Sequence, residues 1–423
     1  MRDVVVIGAG LAGLAAAIKA ADAGLSVTLV TKGVGGIQLG TGTVDILGYR
    51  PEPVDKPLEA LEGHVASRPT HPYSHVSPDH VGASVAWLRD LVGSDVLIGD
   101  ETRNVRIPTG VGALRPTCLI PPSMEAGIPQ AGARYTIVGL ARFKDFYPGL
   151  VAENLTRQNG PDGAPIKARA LSVDYVVRDG EVDSTGTNHA RSLDREENRA
   201  RLAGQIRPLL EEGEIVGLPA VLGLEDPNAW RDLADKLGHP VFEIPIQPPS
   251  VPGMRLNALL TRIASEKCRV VLGSPIKAVH TVDGRVSAVE YASAGRSTIV
   301  ETRSLILAAG GFESGALDMD SYGTVRETIC GLPVMGASGQ LLHADFWGED
   351  QPLFLSGLAV DDNMRVLNEE GVPVCPNLYA AGGNLAGATR WREKSGEGIA
   401  LASALAAVDS IVEELKGPWK CQR

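Results

Sequence analysis

Cysteine is scarce in this 423-residue chain. Cys118, Cys268, Cys330, Cys375 and Cys421 are scattered, and no Cys-x-x-Cys pair occurs. An odd, dispersed set builds no disulfide framework and no recognisable zinc or iron–sulfur motif, and it suits a reducing cytoplasm. Basic clusters are missing too. Forty Lys and Arg against 51 Asp and Glu leave a net charge of −11, which argues against nucleic acid as a partner. Long apolar runs are absent: the uncharged stretch 4–18 is shorter than the ~20 residues of a membrane span. It also carries three glycines at a regular spacing, which a signal peptide does not need.

What is present starts with those glycines. Asp3-Val4-Val5-Val6-Ile7 runs into Gly8-Ala9-Gly10-Leu11-Ala12-Gly13 and on into Leu14-Ala15-Ala16-Ala17-Ile18. A buried strand, a glycine turn and a small-residue helix open a dinucleotide-binding βαβ unit, which a second apolar strand at 27–30 completes. Gly8 is expected to allow the tight turn, Gly10 to leave the backbone open to a phosphate, and Gly13 to bring the helix close to the strand. The first helical N–H groups, from Leu11 and Ala12, would face that phosphate with a partial positive charge.

Beyond this unit, Thr31-Lys32-Gly33 leads into a glycine- and threonine-rich segment that reaches Ile46. Gly40, Thr41 and Gly42 in it offer amides and hydroxyls without bulk to a cofactor, unless the segment is simply a mobile surface loop. Prolines between 51 and 57 mark the exit from this first piece. Residues 66–251 read as a different unit. Helical stretches at 82–91 and 228–237 alternate there with short apolar runs at 135–138 and 215–221, as in an inserted α/β cap. The proline-rich stretch 247–253 reads as a stiff connector. A helix at 254–266, a strand at 270–272 and a hairpin turning at Asp283-Gly284 follow. Two later strands, at 304–308 and 377–380, also end in glycine, at Ala309-Gly310-Gly311 and Ala381-Gly382-Gly383. A last helix spans 398–415. The fold class is therefore α/β: a discontinuous Rossmann-like domain made of residues 1–65 and 252–423, with an inserted α/β cap at 66–251.

Three strands ending in glycine clusters of one parallel sheet would form a continuous cofactor trough beyond their carboxyl ends. Gly396-Glu397-Gly398-Ile399, at the start of the last helix, would direct free N–H groups into it; the alternative for Gly396 and Gly398 is close packing. With Ala308-Ala309-Gly310-Gly311-Phe312 and Leu378-Tyr379-Ala380-Ala381-Gly382-Gly383, the fingerprint resembles flavoproteins of the succinate dehydrogenase and fumarate reductase superfamily. His71-Pro72-Tyr73-Ser74, Leu114-Arg115-Pro116-Thr117, Lys144-Asp145-Phe146-Tyr147-Pro148 and Pro248-Pro249-Ser250-Val251-Pro252-Gly253-Met254-Arg255-Leu256 narrow the likeness. They resemble the B-subunit family of anaerobic glycerol-3-phosphate dehydrogenase.

That resemblance implies a flavin-binding subunit of a three-subunit enzyme that oxidises sn-glycerol 3-phosphate to dihydroxyacetone phosphate. It implies two partners, one catalytic and the other an iron–sulfur protein associated with the membrane. Electrons then pass to quinone for respiration on fumarate or nitrate. The chain would be cytoplasmic, without membrane insertion of its own, and peripheral at the inner face of the cell membrane through a partner. The fingerprint favours FAD, whereas the family is described with FMN, and Thr31 and Lys32 stand where an acid commonly binds the adenosine ribose. Residues 33–63 contain no His, so the flavin is expected to be noncovalent. The alternatives are a stand-alone fumarate reductase-like activity and a non-catalytic role in assembling the complex.

Alcohol oxidation needs a base, and a phosphorylated substrate needs a cationic clamp. Arg115, Arg142, Lys144, Arg255, Arg390 and Arg392 are candidate clamps, with Arg255 and Arg115 first because they lie in family-like segments. His343 is a candidate base. His71, His75 and His80 are not expected to bind metal, since Pro72 and Pro78 break the helix that a His-x-x-x-His pair requires.

Overall fold

The computed structural model of the chain describes residues 1–293 and 295–416. Its first sheet is assembled from both ends of the sequence. Arg2–Ile7 (β1) and Val27–Val30 (β2) run parallel, joined by the helix Leu11–Asp22 (α1). Val4, Val5 and Val6 are completely buried, as a strand covered on both faces must be.

The cap supplies a second sheet of four parallel strands: Arg134–Leu140 (β3), Lys167–Val173 (β4), Glu214–Pro219 (β5) and Val241–Ile244 (β6), in the order β4-β3-β5-β6. The chain then returns to the first sheet through Arg269–Val271 (β7), Ile276–Val282 (β8), Arg285–Ser293 (β9), Arg296–Leu307 (β10) and Leu378–Ala380 (β11). The order is β7-β2-β1-β10-β9-β8, with β11 on the other side of the distal part of β10.

Strand β10 has two roles along its length. Residues 296–301 pair antiparallel with β9, and residues 302–307 lie parallel between β1 and β11. The sequence showed only its apolar second half; the exposed first half carries no burial pattern and is held by its hairpin partner. That hairpin turns at Asp283 and Gly284, both at positive φ (50° and 72°), the backbone of a two-residue type I′ turn.

Five helices matter for the site: α1, Pro57–Ser67 (α2), Pro78–Val92 (α3), Val251–Lys267 (α4) and Gly396–Lys416 (α5). Helix α5 presents Ala400, Ala404 and Ala407 among its buried residues and packs on α1 and α3. Helix α4 starts three residues earlier than the apolar pattern suggests. Ser250 caps it by accepting from the Gly253 N–H at 3.3 Å, and Pro252 is tolerated in a first turn. The last three of the seven residues expected as connector are therefore helix.

Two large apolar cores result, beside two small clusters around Ile107 and Val325. One contains the first sheet, α1 and α5 together with Tyr73, Val81, Val85, Leu88, Cys118 and Leu119. The other runs from Tyr135 to Val251. The change of core thus falls beyond residue 119, whereas the sequence reading placed a boundary at 66: the apolar face of α3 is buried against α5. The four described cysteines are free; Cys421 lies outside the described residues. No helix among the described residues is long and apolar enough to cross a membrane.

Candidate functional site

A trough of about 740 Å³ lies beyond the carboxyl ends of β1, β2 and β10, where α1 and α5 begin. That volume is in the range of a small-molecule or cofactor site. Gly10 precedes α1 with no capping side chain, and a Cβ built there would meet nothing within 4 Å. The backbone donors of this helix end therefore stand open to an anion. Gly8 and Gly13 face inward instead. A Cβ on Gly8 would come within 2.3 Å of the Ala308 carbonyl oxygen, and one on Gly13 within 1.9 Å of the Gly8 carbonyl oxygen.

From this helix end the trough reaches Thr31, Lys32, Gly33, Pro275 and Ile276, and also Gly40, Gly42 and Thr43. The glycine-threonine segment is braced rather than loose. The Ser250 N–H donates to the Gln38 carbonyl at 2.9 Å, and a Cβ on Gly253 would collide with the Ile37 and Gly40 carbonyls. The family-like stretch 248–256 is thus the wall behind this segment.

Leu11, Ala12, Ala309, Gly310, Gly383 and Gly396 also line the trough. Gly13, Thr41, Gly382, Gly398 and Ile399 do not, although the motifs containing them do. Gly382 is pressed against Ala12, and a Cβ on Gly398 would stand 2.2 Å from the Tyr73 hydroxyl. Close packing is what these two glycines serve. The Gly398 N–H, expected to be free for a ligand, donates to the Asp45 carbonyl at 2.9 Å.

The far end of the trough is strongly polar. Glu397, Arg390 and Glu313 line it, Glu313 paired with Arg390 at 3.6 Å. Arg115 stands behind Thr43 and donates to Thr41 Oγ1 at 3.0 Å and Thr43 Oγ1 at 3.1 Å. It also forms an ion pair with Asp45 that is almost wholly buried. Burial and the neighbouring Asp45 hold the Glu397 carboxyl above the ordinary carboxylate range, against the opposing pull of Arg115 and Lys394. Burial and the Arg115 charge lower the pKa of Lys394. Glu397 escaped the sequence reading because a glutamate in a first helical turn is common; only its place at the trough distinguishes it.

Behind Arg390 and Glu397 lies a second buried cluster. His64 Nε2 is 2.7 Å and His71 Nε2 3.4 Å from Glu393 Oε2. The three side chains could in principle ligate a metal, but the tautomer of His71 opposes it. Its Nδ1 accepts from the Tyr73 N–H at 3.1 Å, which leaves the proton on Nε2, whereas a ligating histidine donates from its other nitrogen. Burial pushes the Glu393 carboxyl up, but the two histidines outweigh it and leave its pKa at about 2. The cluster ties α2 and the turn at His71 to the segment carrying Arg390. His75 and His80 are elsewhere, beside Asp362 and the Ala402 carbonyl.

The structure disperses the remaining candidates. Arg255 turns away from the trough: it pairs with buried Glu243 at 2.7 Å and donates to the carbonyls of Leu222 and Gly223. It joins α4 to the cap, and its donors are committed. His343 lies outside the trough, its backbone bonded to the Gln351 side chain. Arg142 and Lys144 pair with Asp174 and Asp183 on the cap surface, and Arg392 with Asp350. Of the candidate cations, only Arg390 lines the trough.

A family model described as FAD binding domain matches residues 3–399. The chain is 31% identical over 429 residues to the B subunit of anaerobic glycerol-3-phosphate dehydrogenase from Pectobacterium carotovorum subsp. carotovorum, covering 97% of this chain and 99% of that one. It is also 31% identical over 431 residues to a probable B subunit of that enzyme from Halobacterium salinarum, with 98% of each chain covered. Among solved structures, the open conformation of a flavocytochrome c3 fumarate reductase aligns over 98% of this chain and 79% of that chain, at 12% identity and a TM-score of 0.47.

Proposed function

From a chain that belongs to the B-subunit family of anaerobic glycerol-3-phosphate dehydrogenase and to the FAD-binding domain family, we propose the flavin-bearing subunit of a quinone-linked glycerol-3-phosphate dehydrogenase. Its reaction is the oxidation of sn-glycerol 3-phosphate to dihydroxyacetone phosphate. A catalytic partner and an iron–sulfur partner complete the complex at the inner face of the membrane and carry electrons to quinone, for respiration on fumarate or nitrate.

The observation that carries this reading is one uninterrupted trough whose walls are the glycine ends of the parallel strands. An FAD-type flavin bound there supplies a two-electron acceptor. The start of α1 and Gly10 hold the phosphates. Room continues past them to Thr31 and Pro275, which suits the adenosine of FAD better than the shorter FMN. The Lys32 side chain brings a cation to that end where other dinucleotide sites place an acid. At the other end Arg390, ion-paired with Glu313 at 3.6 Å, is the trough-lining cation that a substrate phosphate would meet.

The test is an absorbance spectrum of the purified chain, then heat release and chromatography of the chromophore. About one FAD per chain, released by heat, is the expected result. FMN instead would overturn the adenosine assignment. A protein that stays colourless with added flavin and with its partner subunits would leave only an assembly role.

A further inference from the structure

The polar end of the trough contains an incompletely satisfied acid–base group. Thr43, Glu397, Arg390 and Glu313 line this end, Glu313 paired with Arg390 at 3.6 Å; Thr41, Asp45, Tyr49, Arg115 and Lys394 stand behind them. Asp45 Oδ2 is bound by Arg115, but Asp45 Oδ1 and Arg115 Nε are both buried without a hydrogen-bond partner. Buried polar atoms are rarely left so. Asp45 does not itself reach the trough, while Glu397 does.

Resting on the glycerol 3-phosphate reading above, we propose that Glu397 is a catalytic base of this chain, accepting the hydroxyl proton of a small phosphorylated secondary alcohol held in the trough. Asp45 and Arg115 are the positioning residues behind it. The O–H bond breaks with its proton passing to the Glu397 carboxylate. The C–H bond breaks with its electron pair passing to the flavin as oxidant, and the carbonyl forms. Arg390, which lines the trough, takes the phosphate.

Other groups are excluded by place or charge. Arg390 is a cation and donates to the Gly383 carbonyl; His343 is elsewhere; Glu313 stands more than half exposed and is paired with Arg390. A base works best when its pKa lies toward the working pH, and burial beside Asp45 moves Glu397 in that direction. The competing role for a first-turn glutamate is stabilisation of the helix end, which concerns folding alone.

The experiment uses the flavin-loaded full chain, as wild type, Glu397→Gln and Glu397→Asp. Flavin bleaching on anaerobic mixing with sn-glycerol 3-phosphate is followed against pH. The flavin band shift caused by dihydroxyacetone phosphate reports binding without turnover. The proposal expects Glu397→Gln to keep its flavin and the band shift but to bleach at least ~100-fold more slowly. It should also lose the fall in rate that wild type shows as pH drops and the base is protonated. Glu397→Asp should recover part of the rate, with a displaced pH profile.

A Glu397→Gln rate and profile equal to wild type would overturn the base and leave the substrate reading intact. Wild type that neither bleaches nor shifts would overturn the base; the glycerol 3-phosphate reading falls as well only if the complex with its partner subunits is equally unreactive. Wild type that shifts without bleaching would overturn the base. Should Glu397→Gln fail to hold flavin, an unchanged pH profile in Glu397→Asp would overturn the base just as well.

Discussion

Gly8 and Gly10 are two residues apart and answer to different forces. Gly8 has φ +108° and its missing Cβ faces the Ala308 carbonyl, so a side chain there meets both backbone strain and a collision. Gly10 faces open space. Gly8→Val should therefore destabilise the fold by about 2–5 kcal/mol, from strain at positive φ together with overpacking. Gly10→Asp should leave the melting temperature of the flavin-free protein nearly unchanged and lower flavin content instead, since it puts a negative charge where phosphates approach. Melting curves and bound flavin per chain separate the two; equal loss of stability would refute the assignment. Both roles were legible from the fingerprint, because spacing alone dictates which glycine turns, which faces out and which packs.

Glu393 shows what spacing could not reveal. It meets His64 and His71 across more than 300 residues of sequence, and no local pattern announces that. Its pKa of about 2, against an ordinary 4.5, has a definite sign. The carboxylate is favoured in the folded protein, so its stabilisation is whole above about pH 4.5 and is lost as pH falls toward 2. Glu393→Gln should be less stable than wild type near neutrality, and the gap should close on acidification. Thermal melts across that range test it; a gap constant with pH would deny the linkage.

At the scale of elements, Arg255 carries the clearest lesson. It belongs to the most distinctive segment of the chain, and that distinction pointed to the substrate phosphate. The structure spends it on architecture: α4 is fastened to the cap through Glu243, which also accepts from the Leu222 N–H and the Ser123 hydroxyl. Arg255→Met strands a buried carboxylate and should cost about 3–5 kcal/mol. Arg255→Met with Glu243→Gln should recover much of it, and the folded fraction should keep its flavin. A variant of normal stability that cannot respond to substrate would return Arg255 to the chemistry. The start of the same helix braces 37–43 through Ser250 and Gly253, where composition alone also allowed a loose loop.

The whole molecule poses the question of its partner. Aromatic residues make up only 4% of the chain, yet Phe346, Trp347, Phe354 and Trp391 meet in one exposed group. Phe346 and Trp391 are stacked at 5.4 Å, and Trp347 is 81% exposed. Exposed aromatic patches of this kind mark contacts between protein chains, and Trp391 follows Arg390, so a partner seated here would lie next to the trough. Within the proposed complex, Trp347→Ala should lower co-purification of the partner subunits while changing the stability of the isolated chain by no more than ~0.5 kcal/mol. Undiminished co-purification would place the interface elsewhere.

What the sequence determined by itself was the parallel strands, their glycine ends and hence a trough beyond them, because these depend on local rules: burial on both faces, positive φ, helix ends without side chains. What only the tertiary structure decided was which charges meet. Arg255 went to Glu243, 12 positions away, and Arg115 to Asp45, 70 positions away, because ion pairing is set by three-dimensional proximity, and chain folding alone brought Glu397 to a trough opened by the N-terminal glycines.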